Sequence, residues 1–252
     1  MLEFFLKSLL FGRRFGWIKQ IDFGLESIFK VRSKKSIFYI ARAQRLNRYL
    51  YGVPERIAKV VASYGPQLTD LSGELNIIDV GCNDGVFLAY FKRENGKHIG
   101  LDIEPLELLC ARLNAPQAHL FNVAAGESLG YSRFESSPES SSSTLIQTKA
   151  FSGQHWIPTT TIDSIINSFF EVNEIIDILK VDAEGGEPEA LRGTRESLHR
   201  IRFIAVDVGP ERGPNCEWTN EAVHKILTDS GFKNVWISSS ASRVLYQNFS
   251  VK

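Results

Sequence analysis

Residues 77–85, Ile77-Ile78-Asp79-Val80-Gly81-Cys82-Asn83-Asp84-Gly85, constrain the fold more than any other stretch of the chain. An apolar run enters an acidic turn punctuated by two glycines and continues into the apolar segment Val86-Phe87-Leu88-Ala89-Tyr90-Phe91-Lys92. That order predicts a buried strand, a tight turn and the helix of a βαβ unit. Gly81 admits backbone angles closed to other residues, and Gly85 lets the following helix start close to the strand. Such turns hold nucleosides. Asn83 stands where a dinucleotide fingerprint carries its middle glycine, the one that makes room for a pyrophosphate. The pattern therefore favours a nucleoside without phosphates, of which S-adenosylmethionine is the common one, and Asp79, Gly81 and Asn83 are the first candidate contacts.

The next segment, Lys97-His98-Ile99-Gly100-Leu101-Asp102-Ile103-Glu104-Pro105, predicts a short strand ending in carboxylates. A carboxylate at the tip of the second strand is where this fold grasps ribose hydroxyls. Asp102 and Glu104 share a strand face, and Asp102, nearer the strand's end, is the favoured of the two. Leu106 to Asn114 predicts a helix, and Ala118 to Ala124 a third strand whose end, Asn122-Val123, borders the adenine.

At 252 residues and 43% hydrophobic, the chain can bury a full core. Its three cysteines, Cys82, Cys110 and Cys216, have no metal-ligand spacing and predict reduced thiols in a cytoplasmic protein. The apolar run Leu2 to Phe11 is interrupted by Glu3 and Lys7 and is too short to span a bilayer. Residues 1–50 carry 11 Lys and Arg against 3 acids, although the whole chain is neutral. The predicted division is a basic helical extension over 1–72 and a catalytic core over 73–252. Residues 36–52 predict a helix, and Pro54 suits the first turn of another, Glu55 to Tyr64. The extension's basic face either packs against an acidic core or touches an anionic membrane.

Gly130 to Phe134 and His155 to Thr161 predict a β-excursion around the serine-rich run Ser136 to Thr144, which is a mobile loop or a lid over an acceptor. The second strong signal is Ile175-Ile176-Asp177-Ile178-Leu179-Lys180-Val181-Asp182-Ala183-Glu184-Gly185-Gly186-Glu187. It reads as a buried strand delivering charge at its C-terminal end, where open α/β sheets place their chemistry. Strand parity puts Lys180, Asp182 and Glu184 on one face. Ile201 to Asp207 predicts a neighbouring strand, and Phe232 to Ser238 with Arg243 to Phe249 an antiparallel pair at the end of the chain.

Taken together, the Asp79-to-Gly85 turn, Glu104-Pro105, the Thr160-Thr161-Ile162-Asp163 step and Leu179-Lys180-Val181-Asp182-Ala183-Glu184-Gly185 resemble the FkbM family of S-adenosylmethionine-dependent methyltransferases. The resemblance runs from about Asn76 to Gly209. It implies a Rossmann-like class I methyltransferase, an α/β fold with a doubly wound, mostly parallel sheet, acting on a hydroxyl of a sugar, glycan or natural product. Two departures stand out. The family reads aromatic-Glu-Pro at the second strand tip, where this chain has Leu101-Asp102-Ile103-Glu104-Pro105. Asp207 followed by Gly209-Pro210-Glu211-Arg212 also replaces the family's Glu after the fifth strand.

O-methyl transfer needs alignment and removal of a hydroxyl proton, and Asp182 or Glu184 is the candidate base, with His155 an alternative. Asp182, Glu184 and Asp207 would be the ligands of a divalent ion, but no histidine completes the set and no metal is expected. No nucleic-acid partner is expected. Two rivals share the fold: a nicotinamide-dependent oxidoreductase, which Asn83 disfavours, and a non-catalytic nucleoside-binding protein, which has no use for Asp182 and Glu184.

Overall fold

A computed structural model of the chain describes residues 18–23, 26–33, 35–49, 51–92, 95–136, 143–144 and 154–251. The arm at residues 2–11, most of the serine-rich run (137–142) and the side chain of His155 lie outside the described residues.

The first elements form an antiparallel meander of β1 (Ile18–Phe23), β2 (Glu26–Ser33) and β3 (Ser36–Ile40). A 3-10 segment, Ala43–Tyr49, helix α1 (Val53–Ala62) and a second 3-10 segment, Pro66–Asp70, follow. The helical expectation is thus corrected over its first residues, and the extension is not helical throughout. Ile37-Phe38-Tyr39-Ile40 is β-branched and aromatic, with Phe38 and Ile40 buried and Ile37 exposed, so it fits a half-buried sheet. Lys34 and Lys35 alone separate it from β2, the spacing of a tight hairpin. Pro54 sits in the first turn of α1, as expected.

The core then alternates strand and helix: β4 (Ile77–Val80), α2 (Val86–Tyr90), β5 (His98–Asp102), α3 (Pro105–Asn114) and β6 (His119–Asn122). The excursion follows as β7 (Ala124–Ala125), β8 (Gly130–Ser136), β9 (Ser143–Thr144) and β10 (Gln154–Thr160). Next come α4 (Ile162–Phe169), β11 (Ile176–Val181), α5 (Glu187–Arg192), β12 (Ile201–Asp207), β13 (Pro210–Arg212), β14 (Glu217–Trp218), α6 (Asn220–Asp229), β15 (Lys233–Ile237) and β16 (Arg243–Gln247). Thr161 caps α4, its hydroxyl accepting from the Ser164 N–H at 3.1 Å.

The central seven-stranded sheet has the order β15-β16-β12-β11-β4-β5-β6. From β12 to β6 every pair is parallel, while β16 runs antiparallel to both of its neighbours. Its middle strands read as apolar runs because both faces are covered: Ile78, Val80, Leu179 and Val181 join one core, and Ile77 and Ile178 the other. The winding direction reverses between β4 and β11, and in such sheets the crevice at that switch point receives the ligand.

The meander packs onto this core at the ligand end. Phe29, Val31, Phe38 and Ile40 cluster with Leu46, Tyr49 and Val53 against Val86 and Ala89 of α2, and Ile28 and Ala41 cluster with Cys110 of α3. Asn114, buried at the end of α3, fastens the junction. Its Oδ1 accepts from the Tyr39 N–H at 2.8 Å, and its Nδ2 donates to the carbonyls of Tyr39 and Asp84, both at 2.7 Å. Asn114→Ala leaves those backbone groups without partners at about 1 to 3 kcal/mol each, so a loss of about 2 kcal/mol or more in urea unfolding is expected. A loss below about 0.5 kcal/mol would show that the clamp contributes little to holding the meander.

Candidate active site

The Gly81 turn closes over the tip of β5, its N–H and that of Cys82 both donating to the Leu101 carbonyl at 2.9 and 3.0 Å. Gly81 has φ 68°, and a Cβ there would lie 1.9 Å from the Asp182 carbonyl oxygen, so the tips of β4 and β11 meet through a position only glycine fills. Gly85, at φ 73°, is tight for a different reason than expected. Its Cβ would stand 2.9 Å from the Cα of Ala111, so it admits α3 across the turn.

Two connected hollows meet at this turn. Arg45, Gly81, Asn83, Asp182 and Glu184 border both. The first continues along Leu101, Asp102, Glu104, Val123 and Ala124. The second, about 200 Å³, continues along Tyr64, Asp79, Lys180, Asp207, Glu211 and Arg243.

Most of the residues marked in the sequence converge here, in distinct roles. Asp102 is buried, and each of its carboxylate oxygens accepts one backbone N–H, from Asn83 at 2.7 Å and Glu104 at 2.9 Å. Burial raises its pKa although both amides oppose the shift. These bonds fix the carboxylate against the turn and leave each oxygen a second lone pair. Glu104 also borders the hollow and pairs with Arg42 at 3.5 Å. Val123 lines the first hollow. Asn122 does not, because its Nδ2 donates to the Asp102 carbonyl at 3.0 Å.

Asp79 is fully buried and accepts from Lys180 Nζ at 2.8 Å. Burial pushes its carboxyl up to about 6, with Lys180 pulling the other way. Burial also works against the Lys180 ammonium, but Asp79 and Asp182 outweigh it and the pKa is raised. Lys180 additionally donates to the carbonyls of Val80 and Gly81 at 3.2 and 3.0 Å and lies 3.8 Å from Asp182 Oδ2, so it ties the two strand tips together. Asp182 Oδ2 accepts from the Tyr64 hydroxyl at 2.5 Å. Burial and the neighbouring Asp182 carboxylate push the Tyr64 phenol well above its ordinary range, so it stays a donor. Strand β11 ends at Val181, and Glu184, at φ 49°, reaches the hollow through a left-handed turn and not through strand parity.

Four residues of the site had no assigned role in the sequence. Arg243, from β16, stacks on the Tyr64 ring at 4.2 Å and donates to Asp207 at 2.8 Å. Burial together with Asp182, Asp207 and Glu187 pushes the carboxyl of Glu211, past the tip of β12, up to about 8, with a hydrogen bond to Glu184 pulling the other way. Arg45 donates to Asn83 Oδ1 and, at 3.0 Å, to Glu107. Tyr64 and Arg45 belong to the basic extension, where only net charge gave a signal; Glu211 stood in the quoted Gly209-to-Arg212 segment without a chemical partner. Among the described residues, no three His, Cys, Asp or Glu side chains gather as a metal site. Nor is any described helix long and apolar enough to cross a membrane.

The sheet order, the antiparallel last pair and the glycine turn at the switch point define a Rossmann-like methyltransferase fold of class I. The chain belongs to the FkbM methyltransferases: the methyltransferase FkbM domain model matches residues 79–233. Similar solved structures include magnesium protoporphyrin IX methyltransferase from Synechocystis PCC 6803 with bound SAM. It is 15% identical, covers 77% of this chain and 78% of that one, and has a TM-score of 0.45. The N-methyltransferase NodS from Bradyrhizobium japonicum WM9 in complex with S-adenosyl-l-homocysteine is 12% identical over 78% of this chain and 87% of that one, at a TM-score of 0.41. No curated protein sequence matches the chain.

Proposed function

We propose that the protein transfers a methyl group from S-adenosylmethionine to a hydroxyl of a sugar, glycan or natural product. The site fits such a donor: Gly81 lines both hollows at a position where a Cβ would drive the tips of β4 and β11 apart, and Asp79 Oδ2 is buried beside the crevice with no hydrogen-bond partner. When bound, the donor supplies a methyl group on a sulfonium, ready for in-line displacement. Asp102, held by the turn, takes a ribose hydroxyl, with Glu104 beside it. Val123 borders the base. Asp182, fixed by Tyr64 and Lys180, stands at the junction of the two hollows and positions donor and acceptor together.

The observation that supports the choice of a hydroxyl acceptor is the convergence of the Asp182, Glu184 and Glu211 carboxyl groups on the second hollow. Burial and the surrounding carboxylates push Glu211 up to about 8, with the hydrogen bond to Glu184 pulling the other way, so this acidic group of side chains retains a proton at neutral pH. Asp182 and Glu184, the carboxyl side chains that border both hollows, are the candidates to take the hydroxyl proton as the oxygen is methylated. Glu211 gives a pH test with a definite sign. Between its ordinary value of 4.5 and about 8, the unfolded chain has released this proton while the folded chain retains it, so stability falls as pH rises through that window. Glu211→Gln is expected to raise Tm at pH 8.5 relative to wild type and to flatten the Tm–pH curve between pH 5 and 8. Superimposable curves would show that Glu211 does not retain its proton on folding. Screening hydroxyl and amine acceptors for S-adenosylhomocysteine release tests the reaction class itself, and turnover confined to amines would refute O-methyl transfer.

A further inference from the structure

The second hollow is lined by charged residues of both the core and the extension. The core contributes Asp182, Asp207 and Glu211 together with Lys180 and Arg243; the extension contributes a basic wall, with Arg48 on the 3-10 segment after β3 and Arg56 on α1, beside Arg45. None of these arginines falls within the matched residues 79–233, so this wall belongs to the chain's own extension. Arg45 is the anchor, held by Glu107 and bonded to Asn83 in the turn. Asp84 is a single buried carboxylate acted on by Arg45, Arg56 and Arg48 together. The other nearby acid, Glu107, is shared by Arg42 and Arg45. Arg56 Nε is buried without a hydrogen-bond partner. The Arg48 guanidinium is lowered in pKa by burial and by Arg45 and Arg56, as crowded like charges require. Arg48 and Arg56 thus line a hollow that adjoins the one bordered by Asp102, the ribose position proposed above.

We propose that Arg48 and Arg56, set in place by Arg45, bind the α-carboxylate of the donor's methionyl group. The assignment rests on S-adenosylmethionine being the donor. A planar guanidinium matches a carboxylate bidentately, and Asp182 in the same hollow suits the ammonium of the same zwitterion. The meander and α1 would thus complete the donor site, and the turn would hold only the nucleoside half.

Calorimetric titration of the full-length protein with S-adenosylhomocysteine and with 5′-methylthioadenosine, which lacks the amino-acid moiety, separates the two halves. Arg48→Ala and Arg56→Ala are each expected to weaken S-adenosylhomocysteine by about 10-fold or more while leaving methylthioadenosine unchanged. Arg56→Lys should recover part of the loss. Unchanged methylthioadenosine affinity also reports that the variants are folded. Wild-type affinity for S-adenosylhomocysteine in both alanine variants, or equal weakening of both compounds, would overturn the proposal. A wild-type protein that binds neither compound would instead overturn the donor reading on which it rests.

Discussion

Glu184→Gln is expected to slow single-turnover methyl transfer by about 10² or more while leaving affinity for S-adenosylhomocysteine nearly unchanged. The glutamine keeps the shape of the side chain and its contact with Glu211 but cannot take the acceptor's proton. Asp182→Asn should fail differently. The Asp182 carboxylate accepts from Tyr64 at 2.5 Å and lies 3.8 Å from Lys180, so neutralising it disturbs the junction of both hollows and lowers donor affinity as well as rate. Wild-type rates in Glu184→Gln would refute its role as base. Activity abolished reversibly by a chelator would recast the same carboxylates as metal ligands.

Gly81→Ala is expected to have the largest effect on the donor site, driving S-adenosylhomocysteine affinity down by about 100-fold or more and destabilising the fold by about 2 kcal/mol. The added methyl would meet the Asp182 carbonyl at 1.9 Å, and that atom is backbone, so no rotamer change relieves the contact. Relief requires the tips of β4 and β11 to part, which breaks the Lys180 bonds that join them. The φ of 68° adds strain for any side chain. The measurement is titration of the ligand into the variant, with far-UV circular dichroism to show that the sheet persists; wild-type affinity would mean that the turn does not form the floor of the donor site.

The parts legible in the sequence are those whose signal is local. The glycine turn, the apolar runs of β4 and β11 and the antiparallel pair β15 and β16 each follow from a few adjacent residues, and chemistry gathers at strand tips because the winding reverses there. The meander was harder to read because Ser36 to Ile40 is short and followed by Arg42, Arg45 and Arg48, whose spacing mimics a helical face. What the sequence hides is partnership at long range. Tyr64 and Asp182 are 118 residues apart, Arg45 and Glu107 62, and no periodicity connects them. Asp102 and Glu104 show the opposite difficulty. Both were legible as strand-tip acids, but only the two backbone N–H donors distinguish the carboxylate locked against the turn from the one paired with Arg42.

The crevice beneath Gly81 is expected to take a nucleoside carrying a sulfur-linked amino acid and no phosphate. Titration of the full-length protein with S-adenosylhomocysteine and with NAD tests it most directly. One site with micromolar affinity for S-adenosylhomocysteine is expected, weakened more by Asp102→Ala than by Glu104→Ala, with no binding of NAD; saturable binding of NAD with none of S-adenosylhomocysteine would refute a methyl-donor site at this turn.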